Sequence, residues 1–286
     1  MKPSPNRPFL HVGVLPALLC AGVLLASLAA ILVHSLRAYI PGSLEAGGFT
    51  LDNFAALANP FYARAFLRTL WICLLTALFT LLLGYPLAYA LVRTQSRIGK
   101  SAILIIAITP LFLGELVRTY SWIIVLGNNG FINAVLLRLG IISTPLQMMF
   151  TTGGVVTALV HVTLPIMVIM LAAALAHIDR SYERAAASLG AGPVKVFLTV
   201  TLPLSLPGIL AGTAIAFAWT FSAFATPQLI GGGQVNMISN LVYQLGFASF
   251  NFPFAAALST AGLIFAFAAI WLLRLVLHPL ERLGTY

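Results

Sequence analysis

Residues 182–203 read YERAAASLGAGPVKVFLTVTLP and form a polar segment between two long apolar stretches, residues 154–177 and 206–230. The segment combines charged residues, three consecutive alanines, two glycines and two prolines, whereas both flanks lack Asp, Glu, Lys and Arg. Apolar stretches of about 20 residues are long enough to cross a bilayer as helices. The polar segment is therefore predicted to be a loop at a membrane surface.

The composition places the rest of the chain in a lipid bilayer. Of its 286 residues, 60% are hydrophobic and 7% are charged, and the mean hydropathy is +1.03. A soluble domain carries about 25% charged residues, so this chain has too little charge to cover a surface in water. We attribute the net charge of +9 to basic residues that flank membrane spans, and not to nucleic-acid binding.

The predicted fold class is an all-α integral membrane protein with six transmembrane helices and both termini in the cytoplasm. Basic residues are enriched in cytoplasmic loops, and this orientation places ten of the 15 Lys and Arg residues there. The six predicted spans are 12–36, 67–91, 101–126, 154–177, 206–230 and 254–277. The ten cytoplasmic basic residues are Lys2, Arg7, Arg93, Arg97, Lys100, Arg180, Arg184, Lys195, Arg274 and Arg282.

The polar segment is predicted to fold as two short helices joined by a sharp turn. Asp179 or Ser181 caps the first helix by accepting hydrogen bonds from its free amides. Gly190 ends that helix, because glycine adopts the left-handed conformation at low cost. Pro193 suits the first position of the second helix. Such a loop is either a knob that docks on a cytoplasmic partner or simply a structured connection, and the residue pattern leaves both interpretations open.

The third predicted span ends in charged residues, within PLFLGELVRTYSW. Glu115 and Arg118 are three residues apart and therefore share a helix face. Ionisable groups at membrane depth usually line a cavity or pathway, but a pair at the outer interface is equally compatible with the pattern. Asn128 to Gly130 predict a turn, followed by a short helix over residues 131–139 at the outer surface.

Catalytic function is not indicated. The sequence contains no GxxxxGK[ST] phosphate loop and no GxSxG nucleophile motif, and His161 lacks an evident nucleophile and orienting acid. Cys20 and Cys73 lie in apolar stretches without zinc-type spacing, so we expect no metal ligand. The alternative to a subunit of a larger transporter is a stand-alone secondary transporter or channel, which usually carries several acids or histidines in its spans. Glu115 is the one acid within a predicted span.

The spacing within residues 185–203 carries a resemblance to a known family. Ala185 and Ala186 are followed by Gly190, nine further residues and the sequence VTLP. This pattern is similar to the EAA loop of ABC-importer permeases. Arg184 occupies the position of the motif's acid, and Glu183 lies one residue earlier, so the residue that bonds the ATPase stays open. The residues that the resemblance assigns to ATPase coupling are Glu183, Arg184, Ala185, Ala186, Gly190, Pro193 and Pro203.

Three further segments, LVRTYSW (116–122), NNGFINAVLLRLGII (128–142) and ATPQLIGGG (225–233), resemble the spermidine/putrescine-type permease branch. The resemblance implies a multi-pass subunit of the bacterial inner membrane that imports a small solute by alternating access. Its implied partners are a second, similar permease subunit, two ATPase subunits that bind ATP and Mg²⁺, and a periplasmic substrate-binding protein. No cofactor is expected in the chain itself.

The apolar stretches and the chemistry of the residues within them also suggest a domain organisation and a set of pathway residues. We predict an N-terminal cytoplasmic tail (1–11), a retained first transmembrane helix (12–36), a periplasmic loop (37–66), a five-helix permease core (67–280) with a coupling loop (178–205), and a C-terminal tail (281–286). The candidate pathway residues are Glu115, Arg118, Tyr120, Trp122, His161, Trp219 and Gln228. Related permeases often carry acids where this chain has Ala223 and Gln228, so the substrate is either polyamine-like or another small polar solute such as an opine, a phosphonate or an amino-acid-like compound.

Overall fold

The computed structural model describes residues 7–43 and 45–281, with side chains for residues 14–43 and 45–275. Over these residues the secondary structure is helical, apart from an isolated antiparallel bridge between Arg37 and Phe49. The predicted all-α class is confirmed. The helices are α1 (Arg7–Ser35), α2 (Asp52–Ala56), α3 (Pro60–Arg93), α4 (Arg97–Phe112), α5 (Glu115–Leu126), α6 (Phe131–Arg138), α7 (Thr152–Ala176), α8 (Arg180–Ser188), α9 (Pro193–Val196), α10 (Leu202–Leu204), α11 (Leu206–Ser222), α12 (Ala225–Gly231), α13 (Ile238–Tyr243) and α14 (Phe252–Glu281), with π-helical turns at Phe197–Thr201 and Gln244–Ala248.

Among the described residues, five helical stretches are long and apolar enough to cross a membrane. The number rises to six if Pro193–Leu204 and Leu206–Ser222, which meet at a bend of 65°, together form one span. The predicted first, second, fourth and last spans correspond to α1, α3, α7 and α14. The predicted tails include residues outside the described part of the chain, among them Lys2 and Arg282.

The third predicted span, 101–126, is not one continuous helix. Leu113 and Gly114 adopt extended backbone with ψ of 129° and 149°, and they separate α4 from α5. Proline lacks the backbone donor of a helical residue, and Pro110 lies in the last turn of α4. The helix ends two residues after Pro110, at Phe112. The helix predicted over residues 131–139 is present as α6.

The fifth predicted span, 206–230, is likewise interrupted. α11 ends at Ser222, Ala223 is extended with ψ of 129°, and α12 starts at Ala225. Side chains from the following segment satisfy the freed carbonyl groups, because Ser239 Oγ donates to the Ala223 oxygen at 2.6 Å and Asn240 Nδ2 to the Phe224 oxygen at 3.3 Å. An interrupted helix at membrane depth requires such replacement partners.

The chain divides into two compact units. The larger unit comprises Arg64–Asn240 with the residues from Ile264 onward and contains α4 to α12. Its central helix is α7. In the most apolar 18-residue segment of α7, 61% is buried, which is the highest share among the five helical stretches of spanning length. α7 packs against α4 and α11.

Small residues allow the close approach of α7 to its neighbours. Gly208 and Gly212 are four residues apart on α11, a spacing that brings helix backbones together in membranes. A Cβ atom on Gly212 would lie 2.6 Å from Met167 Sδ, and one on Gly84 in α3 would lie 2.9 Å from Met167 Cγ. A Cβ atom on Gly208 would overlap the Cβ atom of Ala174. Met167 is fully buried and fills the space left by two glycines.

The smaller unit comprises the residues up to Ala63 together with Leu241–Leu263. Asn53 is buried, and its Nδ2 donates to the carbonyl oxygens of Ser35 at 2.9 Å and Arg37 at 2.8 Å. These bonds hold the segment that follows α1. The Tyr39 hydroxyl also donates to the Ser249 carbonyl at 3.2 Å, which joins the two chain segments of this unit.

Candidate functional site

The loop of residues 178–205 begins with a capped helix. The Asp179 carboxylate accepts a hydrogen bond from the Ser181 amide at 2.8 Å. This bond, together with one from the Ser181 side chain, lowers the pKa of Asp179 below its ordinary value, because hydrogen bonds to a carboxylate favour its charged form. The cap predicted at Asp179 is confirmed, and α8 runs from Arg180 to Ser188.

Gly190 ends α8 in the manner that the sequence predicts. Its φ is +85°, in the left-handed region that favours glycine. The Gly190 amide donates to the Ala187 carbonyl at 3.0 Å and the Ala191 amide to the Ala186 carbonyl at 3.1 Å, which is the Schellman pattern of a helix end. Pro193 then starts α9. The predicted arrangement of helix, turn and second helix is confirmed.

The loop is tied to the end of α3 by an ion pair. Glu183 Oε1 lies 2.6 Å from Arg93 Nη2, with side chains 17% and 14% exposed. The same oxygen accepts a hydrogen bond from Thr201 Oγ1 at 2.9 Å. Arg180 Nη2 adds a bond to the Arg93 carbonyl at 2.9 Å. Glu183 therefore faces the body of the protein.

Aromatic side chains extend this tie along α3. The Tyr85 hydroxyl is 2.8 Å from Ser205 Oγ, and the Tyr85 and Phe197 rings meet edge to face at 5.4 Å. Tyr89 also contacts Phe197, at 6.2 Å. Tyr85, Tyr89 and Arg93 are spaced by four residues and hence lie on one face of α3. Tyr85 and Tyr89 were not among the residues predicted from the sequence, although their regular spacing with Arg93 at the end of a span was a readable signal.

The opposite side of the loop is exposed and partly apolar. Tyr182, Leu189 and Val194 are 59%, 89% and 70% exposed. Arg184, Ala185 and Pro193 are also exposed, whereas Ala186 and Pro203 are half-buried. Exposed apolar patches of this kind mark sites of contact with protein or membrane.

A second feature is a cavity of about 240 Å³ at the two helix breaks. Its charged and aromatic side chains are those of Glu115, Arg118 and Trp219, all predicted from the sequence as pathway candidates. Transporters commonly bind substrates and ions where helices are interrupted. The other lining residues are Leu111, Leu113, Leu159, Val162, Ala223 and Thr226.

The two charged residues of the cavity have different environments. Arg118 is 7% exposed, and its Nη1 donates to the Pro110 carbonyl at 2.7 Å. This carbonyl belongs to the last turn of α4, where backbone acceptors lack helical partners. The contact that holds Arg118 is therefore a carbonyl oxygen, and not the Glu115 carboxylate that the sequence suggested as one alternative. Glu115 is exposed in the first turn of α5.

Threonine hydroxyls connect α5 to α12 beside this cavity. Thr119 Oγ1 lies 3.3 Å from Thr226 Oγ1, and both side chains are almost fully buried. Thr119 also donates to the Glu115 carbonyl at 2.8 Å. Nothing in the sequence pattern pointed to this pair, because the residues are 107 positions apart.

The remaining predicted pathway residues lie outside this cavity. Trp122 Nε1 donates to His161 Nδ1 at 3.2 Å, and the two side chains line a separate, largely apolar pocket of about 540 Å³ between α3, α5 and α7. Gln228 Oε1 accepts from Asn240 Nδ2 at 2.9 Å, and Tyr120 is 56% exposed. In the part of the chain with described side chains, no cluster of three or more His, Cys, Asp or Glu residues is arranged to hold a metal ion.

Comparisons with known proteins agree with these features. A family model described as "Binding-protein-dependent transport system inner membrane component" matches residues 53–281. The spermidine/putrescine transport system permease protein PotB of Salmonella typhimurium (strain SL1344) is 35% identical over 74% of this chain and 73% of its own length. The inner membrane ABC transporter permease protein YdcU of Escherichia coli K12 is 33% identical over 83% of this chain and 77% of its own.

The fold has counterparts among solved structures. A chain of a bacterial alginate ABC transporter, solved in complex with an alginate-bound periplasmic protein, superposes with a TM-score of 0.77 at 18% sequence identity, covering 96% of this chain and 95% of that chain. At this identity the likeness concerns the fold. Together with the family match, these findings establish a permease subunit and not a catalytic enzyme. The chain belongs to the binding-protein-dependent transport system inner membrane components and is a multi-pass inner-membrane permease of an ABC importer.

Proposed function

We propose that this permease carries a small organic cation from the periplasm to the cytoplasm, driven by ATP hydrolysis in a separate subunit. The observation that carries the proposal is the 178–205 loop, which presents exposed Leu189 and Val194 on one side and is tied to α3 by Glu183 on the other. Because the loop is attached to α3, it can transmit the motion of a partner protein to the membrane helices. Alternating access follows if ATP favours one arrangement of those helices over the other.

The proposed orientation has six spans and both termini in the cytoplasm. It is supported by the distribution of basic residues and by the bent pair Pro193–Leu204 and Leu206–Ser222, which is counted as one span in this arrangement. The 178–205 loop then faces the cytoplasm and the ATPase. The periplasmic loop predicted over residues 37–66 and α6 then face the periplasm.

Membership of the family implies an ATPase and a substrate-binding protein as partners. The proposed assembly contains two ATPase subunits, which hold ATP and Mg²⁺, and a second, similar permease subunit. The second permease subunit is proposed from the resemblance of residues 116–122, 128–142 and 225–233 to a permease branch that pairs two different subunits. We expect no cofactor in this chain.

The proposed substrate class is a polyamine-like cation. The matched relative PotB is named for spermidine and putrescine transport. In this chain, the cavity at the helix breaks combines the exposed Glu115 carboxylate with Trp219, which is 46% exposed. A carboxylate and an aromatic face are the groups that recognise an ammonium ion. Arg118 Nη1 donates to the Pro110 carbonyl rather than to Glu115, and its positive charge lines the same cavity.

The experiment is uptake into proteoliposomes that contain this chain with its ATPase and second permease subunit. Radiolabelled putrescine and spermidine are compared with an opine and a phosphonate, each with the cognate binding protein. ATP-dependent accumulation of the polyamines supports the proposal. Accumulation of an anionic or zwitterionic solute alone refutes the substrate class, and accumulation without the ATPase refutes the division of labour.

A further inference from the structure

The two adjacent charged residues of α8 have different surroundings. Glu183 is 17% exposed and accepts bonds from Arg93 and Thr201 through the same oxygen. Arg184 is exposed. Successive residues of an α-helix are about 100° apart around its axis, so α8 cannot direct both side chains to the same surroundings. Glu183 therefore faces α3, and Arg184 faces water.

We propose that these charges have separate roles. Glu183 is a positioning residue that attaches α8 to α3, and Arg184 is the charged residue of α8 that contacts the ATPase subunit, where it meets a carboxylate in the docking groove. The inference rests on the proposed function, in which the 178–205 loop docks on the ATPase. It goes beyond that function because it names the contacting residue and the charge of its partner.

Glu183 cannot contact a partner protein without giving up its ion pair with Arg93. Its carboxylate neutralises Arg93, whose side chain is 14% exposed and whose Nε atom is buried with no hydrogen-bond partner. Arg93 also lies over the Tyr89 ring, with its guanidinium carbon 5.8 Å from the ring centroid. Turning Glu183 outward would leave this half-buried cation uncompensated, which is costly.

The exposed side of the loop indicates the chemistry of the docking groove. Its apolar residues are Tyr182, Leu189 and Val194, and its exposed cations are Arg184 and Lys195. The Asp179 carboxylate already accepts a bond from the Ser181 amide. A complementary groove therefore has an apolar floor and a negative charge near Arg184. The guanidinium group matches a carboxylate in a two-pronged bond.

Zero-length cross-linking of the assembled complex tests the proposal. The chain is purified with its ATPase and second permease subunit in lipid nanodiscs, and treated with a carbodiimide, which joins an amine to a carboxylate only when the two are in contact. The Arg184→Lys variant places an amine at the outward position, and Arg93→Lys places one against Glu183. Mass spectrometry identifies the carboxylate that each amine has joined.

We expect Arg184→Lys to form an amide with an Asp or Glu of the ATPase subunit, and Arg93→Lys to form one with Glu183 inside the chain. Cross-linking of the Arg184→Lys amine within the chain, or to no carboxylate, overturns the proposal. Arg184→Glu should weaken binding of the ATPase subunit at least tenfold, whereas Lys100→Glu, with the same change of charge at an exposed residue of α4 outside the 178–205 loop, should weaken it much less. Equal effects of these two variants also contradict a specific contact.

A further variant separates this inference from the proposed function. Leu189→Glu puts a charge on the most exposed apolar residue of the loop, whose side chain is 89% exposed. If Leu189→Glu prevents co-purification of the ATPase while Arg184→Lys gives no cross-link to it, the loop docks but Arg184 does not meet a carboxylate. If Leu189→Glu leaves co-purification unchanged, docking through this loop is refuted, and the inference with it.

Discussion

At the scale of single residues, two glycines of the 178–205 loop show how backbone geometry determines whether a position tolerates a larger residue. Gly190 has φ of +85° and Gly192 has φ of −68°, and in both cases an added Cβ atom would meet nothing within 4 Å. The two positions differ in backbone conformation and not in available space. Gly190 was identified from the sequence because it follows a run of helix-forming residues.

We therefore predict that Gly190→Val lowers uptake at least tenfold at an equal amount of protein in the membrane. A β-branched residue in the left-handed region costs about 1–3 kcal/mol, which the short α8 avoids by refolding its end. Gly192→Val is the matched control, because its extended backbone before Pro193 suits valine. Uptake is measured in proteoliposomes, and equal rates for both variants would exclude a role of the turn.

A second prediction concerns recognition of the substrate by Glu115. Glu115→Gln removes the charge and keeps the shape, so we expect the KM for a polyamine to rise by about tenfold or more, as for a lost charge-assisted bond of about 1.5–3 kcal/mol. Trp219→Ala should also raise KM. Arg138→Gln, on α6 and outside the cavity lining, is the control for a change of charge. An unchanged KM in Glu115→Gln would assign this carboxylate to another role.

At the scale of elements, the packing of α11 on α7 depends on what each glycine faces. A Cβ atom on Gly208 meets the Cβ atom of Ala174, which cannot move without its backbone. A Cβ atom on Gly212 meets the thioether of Met167, a flexible side chain. Gly208 therefore faces a neighbour that cannot move, whereas Gly212 faces a side chain that can adjust.

We predict that Gly208→Ala destabilises the protein more than Gly212→Ala, with a cost for Gly208→Ala of about 1–3 kcal/mol, as is usual for overpacking. Thermal unfolding in a mild detergent, followed by tryptophan fluorescence, provides the comparison. A larger loss of stability for Gly212→Ala would show that Met167 is held too firmly to move.

The cap of α8 provides a prediction on pH. Because the pKa of Asp179 in the folded protein is lowered, the cap contributes to helix stability above the ordinary Asp pKa and loses this contribution as pH falls through the folded pKa. Protection of the Ser181 amide against hydrogen exchange, corrected for the intrinsic rate, should be constant from pH 8 to about 5. Asp179→Asn should retain protection in acid, and Asp179→Ala should lose it throughout. A change near neutral pH would contradict the assignment of the cap.

At the scale of the whole molecule, orientation decides which partner each surface meets. Leu189 is 89% exposed in the 178–205 loop and Leu139 is 67% exposed next to α6. In a background with Cys20 and Cys73 replaced, Leu139→Cys should react with a membrane-impermeant maleimide from outside intact cells. Leu189→Cys should react only in inverted vesicles, prepared from cells that lack the ATPase subunit so that the proposed docking surface is uncovered. Labelling of Leu189→Cys from outside would reverse the proposed orientation.

The sequence by itself determined the membrane class, the all-helical fold and the turn at Gly190, because hydrophobicity, helix caps and glycine geometry act over a few neighbouring residues. It also identified Glu115, Arg118 and Trp219 as candidates. The tertiary structure alone decided that these three line one cavity and that Trp122 and His161 belong to another pocket. It also decided the direction of Glu183, since its partner Arg93 is 90 positions away along the chain and such contacts arise only when helices pack.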